Sequence, residues 1–233
     1  MRVALGALAL SHRDGHARPT PLAPGRTYRV RLRLPETAHA FLPGHRIRVA
    51  LGTSYWPVLW PDAEPATLAL TLGASVLTLP VRPPDPADAA LREFAPPGSG
   101  GKTPITVLEP ARVRRRTQHD PLTGTTEVLV VGDGGVLGPA RRYRLDEIGT
   151  VLGHSFRKRC TIRDGDPLSA RVEIAQTLEM ERGDWRVLLA TSTDFTATAT
   201  EFRATATASA SLNGEQRLER RWTIAEKRDR GDA

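Results

Sequence analysis

Cysteine is nearly absent from this 233-residue chain, where Cys160 stands alone. A single thiol closes no internal disulfide and offers no zinc-binding spacing, which excludes disulfide scaffolds and zinc modules. A reducing compartment is permitted and not demanded. Lysine is almost as scarce, with three residues (Lys102, Lys158, Lys227) among 33 basic ones. An arginine bias of this kind follows a GC-rich coding sequence, so the net charge of +7 is discounted as a functional signal. Long apolar runs are missing too. Nothing approaches the roughly 18 residues of a membrane span. The opening "MRVALGALAL" is too short, and lacks the small-residue cleavage site, for a secretory signal. The expectation is a soluble, cytoplasmic chain with no membrane partner.

What is present is globular in balance, with 39% hydrophobic and 25% charged residues. The length suits one large β domain or two smaller ones. "RTYRVRLRL" (26–34) alternates strictly, with Tyr28, Val30, Leu32 and Leu34 on one side and arginines on the other. That period of two is a strand signature. "RIRVALG" repeats it with Ile47, Val49 and Leu51, and Tyr28, Val30, Ile47 and Val49 are the expected core. "RVALGALAL", "ATLALTL" (66–72) and "SVLTLPV" (75–81) add further short strands, with turns at Pro43-Gly44 and Gly73-Ala74. No helical periodicity runs through this half.

Residues 83–104 are rich in proline and glycine and read as a linker, with a helical turn at "ADAALREF". Beyond it "TTEVLVV", "PLSARVEIAQTLEM", "DWRVLLATSTDF", "EFRATATASASL" and "QRLERRWTI" read as longer strands of an antiparallel meander. Turns are expected at 120–124, at Gly183-Asp184 and at Asn213-Gly214, the last a hairpin signal.

Several stretches imitate catalytic or binding motifs. "GSGGKT" (98–103) lacks the first glycine of a phosphate-binding loop, because Pro96 occupies that position. His12 and His16 flank Asp14, but two histidines on a loop fall short of the three or four rigid ligands zinc requires. Ser54, Ser75 and Ser155 each follow a glycine by two positions, yet none has the second glycine of a nucleophile elbow. The basic runs "ARVRRR", "RRYR" and "RKR" have carboxylates nearby and no interleaved aromatics. They read as a solvated or interdomain sheet face, with no nucleic-acid partner. The terminal "RGD" reads as a charged tail. The remaining candidate is aromatic: Tyr55, Trp56 and Trp60, stiffened by Pro57 and Pro61. Rings there fold over one edge of a sandwich, stack on a sugar, or contact another domain.

Several of these words occur together in one order: the His12-Arg13-Asp14 loop, the Pro24-Gly25 turn, the strand from Tyr28, "FLPGHRIR" (41–48), and "YWP" at Tyr55–Pro57. Over residues 2–84 they resemble the C-terminal region of CocE/NonD-type serine hydrolases, the group of cocaine esterase and the bacterial Xaa-Pro dipeptidyl-peptidases. The resemblance implies a jelly-roll, galactose-binding-like β-sandwich that packs on an α/β-hydrolase domain and helps wall its substrate cleft. The hydrolase domain, with its Ser, Asp and His, has no counterpart in this sequence, so no catalytic residue, metal ligand or cofactor is carried over. The chain is expected to be inactive by itself, with that domain supplied as a missing part or in trans.

The expected architecture is therefore all-β. It comprises an incomplete jelly-roll over 1–84, a linker over 85–104, and a second antiparallel unit over 105–233. The expected role is an accessory region of a dipeptidyl-peptidase or ester hydrolase, with Tyr55, Trp56 and Trp60 docking the catalytic domain or rimming its cleft. The alternative is a free-standing carbohydrate- or peptide-binding sandwich. An incomplete sandwich also predicts an unpaired edge and an uncovered apolar face.

Overall fold

The computed structural model describes residues 1–98, 100, 103–134 and 139–228. Its strands are β1 (Ile105–Glu109), β2 (Arg112–Asp120), β3 (Thr125–Asp133), β4 (Arg142–Leu145), β5 (Thr150–Arg163), β6 (Asp166–Arg182), β7 (Trp185–Ala197), β8 (Glu201–Leu212) and β9 (Glu215–Lys227). They form one open, wholly antiparallel sheet in the order β1-β4-β5-β6-β7-β8-β9, and β2 joins through β3. One edge of β5 is divided between two neighbours. Residues 150–153 pair with β4 and residues 157–163 pair with β3. The all-β class holds, and an open sheet of this kind is one layer of a sandwich.

The meander from β5 to β9 exists because its turns are written into the chain. Asn213 and Gly214 both take positive φ, 53° and 84°, as a tight two-residue hairpin requires. Asn213 then donates its N–H to the Arg186 carbonyl and accepts the Arg186 N–H on Oδ1, both at 2.8 Å. Asp120 organises the β2–β3 turn, accepting the Leu122 N–H at 2.9 Å.

The register sorts side chains onto two unlike faces. One face carries Val128, Cys160, Val172 and Phe195 in a single cross-strand row. Its deepest residues are Cys160 and Ala170, each 1% exposed, with Val128 close behind. The other face is an ion-pair lattice. Glu127 accepts from Arg159 and Arg116, Arg159 also reaches Glu173, and Arg171 bridges Glu173 to Asp194. At the far end of β6, Arg141 pairs with Glu179 at 2.8 Å and Arg142 with Glu181 at 2.6 Å. Arg141, Arg142 and Arg159 of "RRYR" and "RKR" thus meet carboxylates of other strands, and Arg144 pairs with Asp146, close by in the chain.

The first hundred residues differ from expectation at the level of strands. Among the described residues no strand precedes Ile105, and regular structure there is limited to three 3-10 turns, at Leu10–His12, Leu72–Ala74 and Pro86–Ala90. The strands expected at 26–34, 46–52, 66–72 and 75–81 lack ladder partners. Val30, Ile47 and Val49, assigned to the core, are exposed, the last two at 53% and 57%. Tyr28 alone is half-buried, its hydroxyl accepting the Ala23 N–H at 2.8 Å under the Arg13 guanidinium. The physical reason is that alternation specifies a two-faced segment without supplying its neighbour. The turn chemistry survives. Pro24-Gly25 and Pro43-Gly44 are both turns with φ near 80° at glycine, closed by Arg26 N–H to Ala23 and His45 N–H to Leu42. Contact begins as well, since a Cβ at Gly6 would come within 2.9 Å of Leu32. The helical turn expected in the linker is the one at Pro86–Ala90, capped by Asp85, which accepts the Ala87 N–H.

Strands missed from the sequence are β1, β2, β4 and β5. In β2 the arginines masked the alternation, because this edge strand is exposed at every position but Asp120.

Candidate docking surface

Trp60 is where the two halves of the molecule meet. The chain ahead of it turns tightly, with Val58 and Leu59 both donating their N–H to the Tyr55 carbonyl at 2.9 Å. That turn sets Trp56 edge-on to Trp60, with centroids 5.2 Å apart and planes at 79°. The Trp60 ring in turn stands perpendicular on Phe195 of β7 at 4.7 Å and near Phe202 of β8 at 6.3 Å. Edge-to-face geometry of this kind adds about 0.5–1.5 kcal/mol per pair beyond area burial. Arg228 completes the seam. Its guanidinium lies 4.9 Å from the Phe202 ring centre and donates to the Pro61 carbonyl at 2.8 Å. Pro61 and Ala63 are consequently buried. The indole N–H groups of Trp56 and Trp60 are both buried without an acceptor, so ring packing and the Arg228 bond close the seam.

Tyr55 faces the other way. It is exposed, and its hydroxyl accepts from Arg2 at 2.6 Å. Of the three aromatic candidates, Trp56 and Trp60 are thus brought together and Tyr55 is left at the surface. Sequence reasoning missed Phe195, Phe202 and Arg228. Phe195 and Phe202 lie on the apolar face either side of the β7–β8 turn, and no local pattern connects them to a tryptophan 135 or more residues upstream.

The other motif-like stretches take local roles. His12 and His16 approach through their Nδ1 atoms at 3.2 Å, and Arg13 laces the same loop by donating to the Leu10 and Thr20 carbonyls. No group of three potential metal ligands occurs among the described residues. Ser75 donates to the Thr71 carbonyl, and Ser155 shares a hydrogen bond with Thr177 across the β5–β6 ladder. Burial pushes the Cys160 thiol above its ordinary pKa, which holds it protonated and poorly nucleophilic. Parts of "GSGGKT" and the terminal "RGD" lie outside the described residues. No helix among the described residues is long and apolar enough to cross a membrane.

What these features define is a β scaffold with aromatic and aliphatic contact surface. The class is an all-β module. Residues 1–116 match the family model of the X-Pro dipeptidyl-peptidase C-terminal non-catalytic domain, and this part of the chain belongs to that family. The match takes in the aromatic segment, the linker, β1 and half of β2, and leaves β3–β9 outside it. No curated protein and no solved structure matches the chain. Membership makes the region a C-terminal, non-catalytic accessory part of an X-Pro dipeptidyl-peptidase-like protein, whose catalysis resides in another domain.

Proposed function

We propose that this chain is the accessory β region of an α/β serine hydrolase of the dipeptidyl-peptidase or ester-hydrolase class, and that it packs on the catalytic domain and helps shape its cleft. The observation carrying this reading is the uncovered aliphatic stripe in a segment of a non-catalytic domain family. Ile47, Val49 and Leu51 are all more than half exposed, in a region whose alternation is that of a sheet buried on one side. Such a stripe is stable only against another layer. In this reading Trp60 is the internal clasp that orients the stripe, and Tyr55 with the outer side of Trp56 lies at the rim. The tilt between Trp56 and Trp60 gives no flat platform for a sugar ring, which disfavours a free-standing carbohydrate module.

The test is reconstitution. An X-Pro dipeptidyl-peptidase-type catalytic domain, stripped of its own accessory domain, is assayed on an Xaa-Pro chromogenic peptide with and without this chain. The chain alone should give no turnover, and its addition should change KM. Replacing Val49 by Asp should remove that effect. Turnover by the chain alone, abolished by Ser54→Ala, would reject the proposal.

A further inference from the structure

The apolar face of β6–β9 lies outside the family match, and at one corner of it Trp60 sits on Phe195 and Phe202. Pairing lays out the rest. Ala204 lies between Phe195 and Ile224, Ala206 between Thr193 and Trp222, Ala208 between Thr191 and Arg220, and Ala210 between Leu189 and Leu218. On β9, Leu218, Trp222 and Ile224 are 42–51% exposed. Small side chains along β8, walled by larger ones on β7 and β9, leave a shallow trough. From Ala204 to Leu212 the trough runs about 27 Å at strand rise, the length of about 18 helical residues.

Charge separates this face from the opposite one. On the polar face arginines meet carboxylates across neighbouring strands. The apolar face carries Arg115, Lys158, Arg182 and Arg220, and none of the four makes an ion pair among the described residues. On this face of β6–β9 the register puts the carboxylates Glu226, opposite Phe202, and Glu215, opposite Leu212, and Glu215 is already paired with Arg217 at 2.7 Å. A second copy of the chain would bring cations against cations. A surface with an apolar centre and acidic flanks would neutralise them.

We propose that the apolar face of β6–β9 docks a partner protein through an amphipathic helix whose leucine-type face is flanked by carboxylates. The helix lies along β8, its apolar ridge over Ala206 and Ala208 and against Trp222. Its acidic flank meets Arg220 on one side and Lys158 or Arg182 toward the other. This surface is separate from the Ile47–Leu51 stripe, so its occupancy is independent of the reconstitution above.

The test uses the 233-residue chain and two synthetic 18-residue amphipathic helices with the same leucine face, one flanked by glutamate and one by lysine. Binding is read from the tryptophan emission shift, with Trp222→Phe identifying the reporting ring. The glutamate peptide should bind at least tenfold more tightly than the lysine peptide at low salt. Ala206→Glu should abolish that binding. Arg220→Glu, on an exposed edge strand where folding is not at stake, should cut the preference at least fivefold. Equal affinity for the two peptides, or a preference unchanged by Arg220→Glu, would overturn the proposal. So would a stable dimer by light scattering that the glutamate peptide fails to dissociate. Flotation with phosphatidylserine vesicles in the absence of peptide binding would overturn it in favour of a lipid surface.

Discussion

Residues 1–104 and residues 105–228 use the same device, alternation of apolar and polar side chains, with opposite results. In the second region each long strand is followed within a few residues by its own antiparallel partner, and β5 through β9 close into a ladder. In the first, equally regular stripes at Tyr28–Leu34 and Ile47–Leu51 lie without ladder partners, and the Trp60 seam ties this region to the sheet. The difference teaches that alternation is a statement about faces, while pairing depends on which strand is within reach. A meander carries its neighbours in sequence. A sandwich with crossover connections borrows them from distant segments.

The sharpest way to break this comparison is hydrogen exchange. Central amides of β5–β8 should be protected on the order of 10³-fold or more, and amides of 26–34 and 46–52 should exchange nearly freely. Equal protection of both regions would show that the first has a ladder of its own. Next in size is a pair of substitutions. Cys160→Arg, placing an unpaired charge at a site 1% exposed, should cost about 4 kcal/mol or more and abolish cooperative urea unfolding. Val49→Asp should change stability by less than about 0.5 kcal/mol in the isolated chain.

Trp60→Ala should be intermediate, costing about 2–3 kcal/mol of the attachment between the regions. The readout is faster exchange at 56–63 while β5 and β6 keep their protection. An unchanged exchange pattern would mean that the halves are held together elsewhere. The smallest effect belongs to the polar face. Arg159 beside Glu127, aided by Arg116, holds that carboxyl below the usual glutamate range. A depressed native pKa stabilises the fold above the unfolded value of about 4.3 and loses that contribution as pH falls through the native value. Glu127→Gln should therefore flatten the acid limb of the stability curve below about pH 4 and leave the first region's exchange untouched.

Local signals carried well from sequence to structure. The hairpin at Asn213-Gly214, the two Pro-Gly turns, the 3-10 turn within the linker and the cores of β3 and β6–β9 were all readable, because each rests on residues close in the chain. Of the site, the packing of Trp56 and Trp60 was legible as rings folding over one edge of a sheet, since they are crowded together between prolines. Their partners were not. Phe195, Phe202 and Arg228 lie 135 to 172 positions from Trp56 or Trp60 along the chain and carry no mark of one another. The edge strand β2 was hidden for a different reason, being exposed on both faces and so free of any apolar stripe.

The sequence by itself determined the β class, the turns, the two-faced character of each stripe and the lack of disulfide chemistry, all properties of single residues or short windows. Tertiary structure alone decided which stripes found partners, that Trp60 would close on β7 and β8, and that one face of the sheet would balance its charges while the other kept its cations unpaired. Those outcomes depend on contacts between segments far apart in the chain, where closure entropy and the supply of neighbouring strands, rather than local preference, settle what meets.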